Sequence, residues 1–360
     1  MNQTVPASLL SSKPHFEILD GLRGLAAVAV VIFHFMEIAV PDYKDNFIAH
    51  AYLAVDFFFC LSGFVIAYAY DQKLKSIGLI TFLKLRLIRL HPLVIIGSII
   101  GIVAFAFDPM SNLFATYEGK SFWMFVASCL MIPYPLVHER YFNFFHLNPP
   151  TWSLFWEYVA NLFYAFFLIK LKNKTLWLLT AIAAILLAYE AYKSGNLSVG
   201  WGGDNFFGGG ARVFYSFVAG ILIYRSNWKI PSKLGFASIG ILLTLVFLIP
   251  YSEKFNFIVE PVVVIFFLPL VIALGAGASS IKKSTWICRF SGEISYPLYM
   301  VHYPFIWLFM SYVESKKPIM NEMIIVMAVG VVALIIFAYL VLILVDIPIR
   351  KQLKKRMEAR

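Results

Sequence analysis

The sequence predicts an all-α, polytopic transmembrane helical bundle of about ten spans plus one short re-entrant helix, with both termini cytoplasmic. Three observations lead there. Of 360 residues, 61% are hydrophobic and 14% charged, and the mean hydropathy is +0.78, well outside the soluble globular range. Apolar windows long enough to cross a bilayer core fall at 17–40, 47–70, 82–107, 150–171, 175–193, 210–227, 234–250, 258–276, 292–313 and 321–346. With both ends inside, 21 of the 30 Lys and Arg residues lie in cytoplasmic segments and 7 in outer ones, as the positive-inside rule requires.

Residues 1–16 carry no basic leader pattern or cleavage site, so they are expected to form a cytoplasmic segment that is not removed. The first span reads LDGLRGLAAVAVVIFHF over 19–35, and it holds Asp20, Arg23 and His34, groups that hydrocarbon normally excludes. Arg23 and His34 are eleven residues apart, so they share a helix face within about 20° at depths about 16 Å apart. Asp20 and Glu37 flank that face. Arg23 alone could simply pair with Asp20 or snorkel to the interface. His34 sits deeper, where an ionisable group is a functional candidate by default.

The second span contains VDFFFCLSGF (55–64), with Asp56 near its outer end and an SGF triplet suited to close helix packing. The third opens on KLRLIRLHP (84–92), which sets Arg86 and Arg89 one turn apart at the cytoplasmic mouth. Two guanidinium groups at that spacing can grip phosphate oxygens, or can be ordinary positive-inside anchors. The apolar piece 121–133 is too short to cross comfortably and reads as re-entrant or interfacial; counting it as a span would turn three later basic loops outward.

The fourth span starts at a double proline, NPPTWSLFWEYVANLFY (148–164), and places Ser153, Glu157, Asn161 and Tyr164 on one face, a stripe better suited to a cavity than to lipid. The Gly-rich stretch WGGDNFFGGG (201–210) reads as a loop before the sixth span, which carries Arg212. The ninth, FSGEISYPLYMVHYPF (290–305), gives Ser295, Tyr299 and His302 a common face; its Pro297 and Pro304 demand that neighbouring groups satisfy the freed carbonyls. A basic cytoplasmic tail, 347–360, follows the membrane domain of 17–346. The net charge of +10 is thus a collar facing anionic headgroups and needs no nucleic-acid partner. Cys60, Cys129 and Cys288 show no CxxC spacing, so neither a disulfide framework nor a metal site is expected.

The motifs LDGLRG with His34 beyond it, VDFFFCLSGF, RLIRLHP, PPTWSLFWE, GARVFYSFVAGIL, SYPLYMVHYP and VDIPIRK resemble, in order and spacing over about 16–352, the acyltransferase 3 family of integral membrane O-acyltransferases. The resemblance implies transfer of an acyl group, usually acetyl from cytoplasmic acetyl-CoA, to a hydroxyl of a glycan, a lipid-linked sugar or a small molecule, in the bacterial plasma (inner) membrane. It makes Arg23 and His34 the functional pair and Arg86 and Arg89 the Arg-x-x-Arg element. The closing motif departs from the family's usual Glu at Asp346. Only about fourteen residues follow the last span, so direct transfer, or completion by a separate extracytoplasmic protein, is expected.

Attack of an alcohol on a thioester needs a base and an oxyanion donor. On this reading His34 is the base and Glu157 its orienter or charge partner. Ser153, Tyr299 and His302, with Asp56 and Arg212, supply oxyanion or substrate contacts. Arg23 holds the donor, and Arg86 and Arg89 bind the CoA phosphates. An acyl-enzyme on His34, Ser153 or a tyrosine stays open. The alternative is a proton-coupled transporter or channel using the same intramembrane charges.

The topology is directly testable. Single cysteines at Lys316 and Lys282 should be labelled by an impermeant thiol reagent from opposite sides, outside and inside respectively; labelling of both from one side would overturn the ten-span arrangement.

Overall fold

The structure is a computed structural model that describes residues 16–278 and 285–359. The N-terminal segment with Lys13 and the basic pair Lys282 and Lys283 lie outside the described residues. The chain is an all-α polytopic membrane bundle, and among the described residues β-type pairing is confined to two isolated bridges, Asn143 with Gly202 and Ser232 with Ala278.

The main helices are α1 (Glu17–Ala39), α2 (Ala54–Tyr70), α3 (Leu79–Ala106), α4 (Ser121–Cys129), α5 (Thr151–Phe166), α6 (Asn173–Ser194) and α7 (Phe206–Arg225). They continue as α8 (Phe236–Phe247), α9 (Asn256–Gly277, with a π turn at Val263–Phe267), α10 (Thr285–Val301), α11 (Tyr303–Lys316), α12 (Met320–Val341) and α13 (Ile347–Glu358). Eight of the described helical stretches are long and apolar enough to cross a membrane. The seventh and ninth expected windows differ from that standard. The seventh holds the twelve-residue α8, and the ninth is broken at His302 into α10 and α11.

Two other differences have local causes. The GGG run expected in a loop forms the first turn of α7, where glycine is needed: a Cβ on Gly209 would stand 2.6 Å from the Trp156 indole nitrogen. The basic segment after 346 is helical, and a π turn at Leu342–Asp346 joins α12 to α13 in one helical stretch, Met320–Glu358.

The bundle exposes apolar side chains outward, as lipid demands, and keeps its charged and polar span residues within a largely apolar interior. Ile325, Val329, Val332 and Ile336 of α12 are exposed, whereas Asp56, Ser153, Arg212, Ser295, His302 and Asp346 are buried. Proline carbonyls are satisfied from neighbouring helices. Pro304 removes the donor for the Met300 carbonyl, which accepts instead from Asn148 Nδ2 at 2.9 Å. Pro269 does the same to Ile265, whose carbonyl accepts from the Tyr215 hydroxyl at 2.7 Å. These bonds tie the break at His302 to the start of α5, and α9 to α7.

Two helix pairs are in backbone contact because glycine removes the Cβ. On α1 and α10, Gly24 lies against the backbone of Ser291 and Gly292 against Asp20. On α2 and α7, Gly63 meets the Phe217 carbonyl and Gly220 the Cys60 carbonyl, each at 2.0 Å from an added Cβ. Without a hydrophobic force between helices in lipid, such close packing is what holds the pair.

Gly220→Ala should therefore lower stability by about 1–3 kcal/mol, since rigid backbone rather than a side chain must move. At Gly240 the nearest heavy atom to an added Cβ is 3.9 Å away on Leu22, and Gly240→Ala should be neutral or stabilising by up to about 1 kcal/mol. Thermal unfolding in one detergent compares them; equal midpoints would show that the α2–α7 contact is not sterically limiting.

Candidate active site

Two chambers open between the helices, and they meet at Val55 and Tyr299, which line both. The inner one, of about 260 Å3, is lined by three arginines, Arg23, Arg86 and Arg89. The α1–α10 contact brings Arg23 against α10, where its Nε donates to Ser295 Oγ at 2.8 Å and its Nη2 to the Gly292 carbonyl at 2.5 Å. Asp20 adds an ion pair at 3.3 Å. Arg86 donates to Glu157 Oε1 at 2.8 Å, and Ser62 donates to the same oxygen at 2.8 Å. Arg89 lies over the Tyr296 ring at 5.8 Å. Among the described residues no carboxylate lies within ion-pair distance of Arg89.

The outer chamber, of about 300 Å3, holds His34. Its Nδ1 is 2.9 Å from Glu37 Oε2, one turn along α1. A carboxylate only accepts, so Nδ1 carries the proton and Nε2 is left with its lone pair, the tautomer a general base needs. Tyr43, beyond the end of α1, donates to the other Glu37 oxygen at 2.6 Å and fixes the carboxylate. The His34 ring stacks on His302 at 5.4 Å and meets the edge of Tyr303 at 4.6 Å.

This arrangement corrects the expected partnership of His34 with Glu157. Glu157 faces the inner chamber and neutralises Arg86, while the acid on His34 is Glu37. Helix arithmetic places residues on a face of their own helix; it does not say which faces meet. The rest of the α5 stripe divides. Asn161 bonds the Glu157 carbonyl, and Tyr164 donates at 2.7 Å to Asp71, itself paired with Arg225 at 2.6 Å.

The remaining expected residues lie at the partition between the chambers or in the outer wall. Ser153 and Tyr299 are 2.8 Å apart. Ser153 has one proton and is also 2.9 Å from the Pro150 carbonyl, so both bonds form together when Tyr299 donates to Ser153 and Ser153 to Pro150. His302 directs Nδ1 at the carbonyls of Leu298 and Tyr299, at 3.1 and 2.9 Å. That leaves its buried Nε2 as an acceptor without a partner. Asp56 and Arg212 form a fully buried pair at 2.6 Å. Arg212 also donates to the carbonyls of Val199 and Tyr52, each at 2.9 Å, and packs over Trp152 at 5.3 Å. With its donors committed, it builds the chamber wall.

Sequence reasoning missed Tyr43 and the outer loop. Glu37 to Tyr43 spans the end of a helix, so no periodicity links them. Arg140, counted only as an outer-loop cation, is buried between the rings of Phe105 at 4.5 Å and Trp307 at 4.9 Å, and donates to the His146 carbonyl at 2.9 Å. Burial lowers its pKa to about 9. Tyr141 and Phe142, next in the chain, adopt left-handed backbone at φ 56° and 51°, and Tyr141 reaches the outer chamber. Cation–π contacts and a left-handed turn leave no mark in hydropathy.

Comparison with known proteins agrees with this architecture. The chain is 35% identical over 192 residues to protein 2 in the picA locus of Rhizobium radiobacter, covering 50% of this chain and 97% of that one. It is 24% identical over 364 residues to the O-acetyltransferase OatA of Staphylococcus aureus strain NCTC 8325 / PS 47, covering 93% of this chain. The chain spans 57% of that relative's length. No solved structure matches it. A family profile described as an acyltransferase domain matches residues 16–343, nearly the whole bundle. The chain therefore belongs to this acyltransferase family.

Proposed function

We propose that the protein moves an acetyl group from cytoplasmic acetyl-CoA to a hydroxyl of a glycan, a lipid-linked sugar or a similar acceptor in the bacterial plasma membrane. The observation that carries this reading is the pair of unlike chambers with Tyr299 and Val55 in common, arginines in one and a His–Glu dyad in the other. The donor enters from the inner side, its phosphates held by Arg89 and Arg86 and its arm guided by Arg23. The acceptor enters the outer chamber, whose lining includes Trp152, Trp201 and Trp307. The staphylococcal relative's name supports acetyl as the group carried. Residues 17–346 form the membrane domain on this reading, with both termini cytoplasmic.

The chemistry balances within the site. The acceptor oxygen attacks the thioester carbonyl while His34 Nε2 takes its proton; Glu37 stabilises the imidazolium and Tyr43 holds Glu37 in place. The C–S bond then breaks, and the imidazolium returns the proton to the departing thiolate, giving ester and free CoA thiol. The charge that develops on the carbonyl oxygen forms beside Tyr299 and Ser153.

Purified protein in liposomes, given radiolabelled acetyl-CoA and hydroxylated glycans, should transfer label; flux of label across the membrane without transfer would sink the proposal. His34→Ala should lower turnover by about 10²–10⁴ while still binding acetyl-CoA. Glu37→Gln should lower kcat less, with acetyl-CoA binding kept. Near wild-type turnover by His34→Ala would move the base to His302.

A second prediction concerns the inner arginines. Changing Arg86 and Arg89 together to Gln should raise the KM for acetyl-CoA more than that for the acceptor, since these contacts are remote from bond making. An unchanged donor KM in correctly inserted protein would return the pair to membrane anchoring.

A further inference from the structure

A third cavity lies outside the two chambers. On α13 the apolar residues Ile349, Leu353 and Met357 recur every four residues and form one stripe on a helix otherwise rich in Lys and Arg. That stripe faces Leu87, Ile88 and Ile95 of α3, but the two helices do not close on each other. They leave a groove of about 570 Å3, larger than either chamber. Leu87 and Ile95 stay 46% and 38% exposed, so the groove is an open apolar channel. Lys84 and Arg356 stand on its rim. Neither forms an ion pair with a described carboxylate.

From Lys84 to Ile95 the floor runs about 16 Å along α3, close to the depth of one leaflet in a core about 30 Å thick. Cations at one end of an apolar channel of that length match the two halves of an anionic phospholipid. The same helix turns Arg86 and Arg89 into the inner chamber, and the groove contains neither of them. It is therefore separate from the donor site.

We propose that this groove binds an anionic phospholipid, its phosphate between Lys84 and Arg356 and an acyl chain along the α3–α13 floor. Native mass spectrometry of the detergent-solubilised full chain, with phosphatidylglycerol and phosphatidylcholine at equal mole fraction, tests this. The wild type should retain phosphatidylglycerol in preference to phosphatidylcholine. The double variant Lys84→Gln, Arg356→Gln should weaken that retention by about 10-fold or more, and Leu353→Trp, which fills the channel, should weaken retention of either lipid. Equal retention of the two lipids by the wild type overturns the proposal without any variant. Undiminished phosphatidylglycerol on the double variant also overturns it. Displacement by inorganic phosphate would assign the rim to a free anion, and a protein dimer lost in Leu353→Trp would assign the groove to a second copy; either result overturns the lipid reading.

Discussion

The constraint on which the rest of the structure depends is the cost of carrying guanidinium groups into hydrocarbon. Four arginines in the bundle meet acceptors from another part of the chain. Arg23 reaches from α1 to α10, Arg86 from α3 to α5, Arg212 from α7 to α2, and Arg225 from the end of α7 to Asp71 just past α2. A local pair adds to these: Arg350 on α13 meets buried Asp346, one turn earlier at the end of the π turn, at 2.6 Å. Breaking such a buried pair by removing one partner costs about 3–5 kcal/mol, more than most single contacts contribute, whereas the intact pair adds little net stability. The pairs therefore act chiefly as registers. They specify which helix faces meet, and the glycine contacts of α1 with α10 and α2 with α7 let those faces come within reach.

That division of labour explains what could be read from the sequence. The helical windows were legible because apolar length is a property of a single segment. Arg23 and His34 were legible as a shared face of α1 for the same reason, and so was Glu37 beside them. Their separation in depth proves as informative as their shared face: Arg23 lines the inner chamber and His34 the outer one. The partner of Glu157 was not legible, because it depends on α3 crossing α5, a relation between helices. Neither was the break in the ninth window, which reads as one continuous apolar stretch with Pro297 and Pro304 inside it. The structure places the break at His302, with Asn148 capping the Met300 carbonyl that Pro304 leaves free.

The outer loop shows the opposite limit. Arg140 lies outside the apolar windows, yet it is buried, with two aromatic rings and one carbonyl as partners in place of a carboxylate. A guanidinium tolerates such surroundings better than an ammonium, because its charge is spread and weakly hydrated and its flat faces stack. The contact pins the loop carrying Tyr141 and Asn143 onto Trp307, and all three line the outer chamber. A residue that would be a mere surface cation by composition thus shapes the wall of the outer chamber.

The proposed reaction requires an oxyanion donor, and in the structure the candidate donors between the chambers are already engaged. Arg212 is committed to Asp56 and two carbonyls, His302 to backbone carbonyls, and Tyr299 to Ser153. Substrate must therefore displace one of these bonds, and their costs differ. Freeing Arg212 would strand Asp56 as an uncompensated buried charge, at about 3–5 kcal/mol. Releasing His302 would unpin the helix break. The Tyr299–Ser153 bond is neutral, and a bond of that kind contributes only about 0.5–1.5 kcal/mol net. A thioester carbonyl arriving at the partition can accept the Tyr299 proton in place of Ser153, exchanging one hydrogen bond for another that strengthens as negative charge develops. On the proposed reaction, the bond that costs least to exchange is thus also the one whose donor would meet the developing charge.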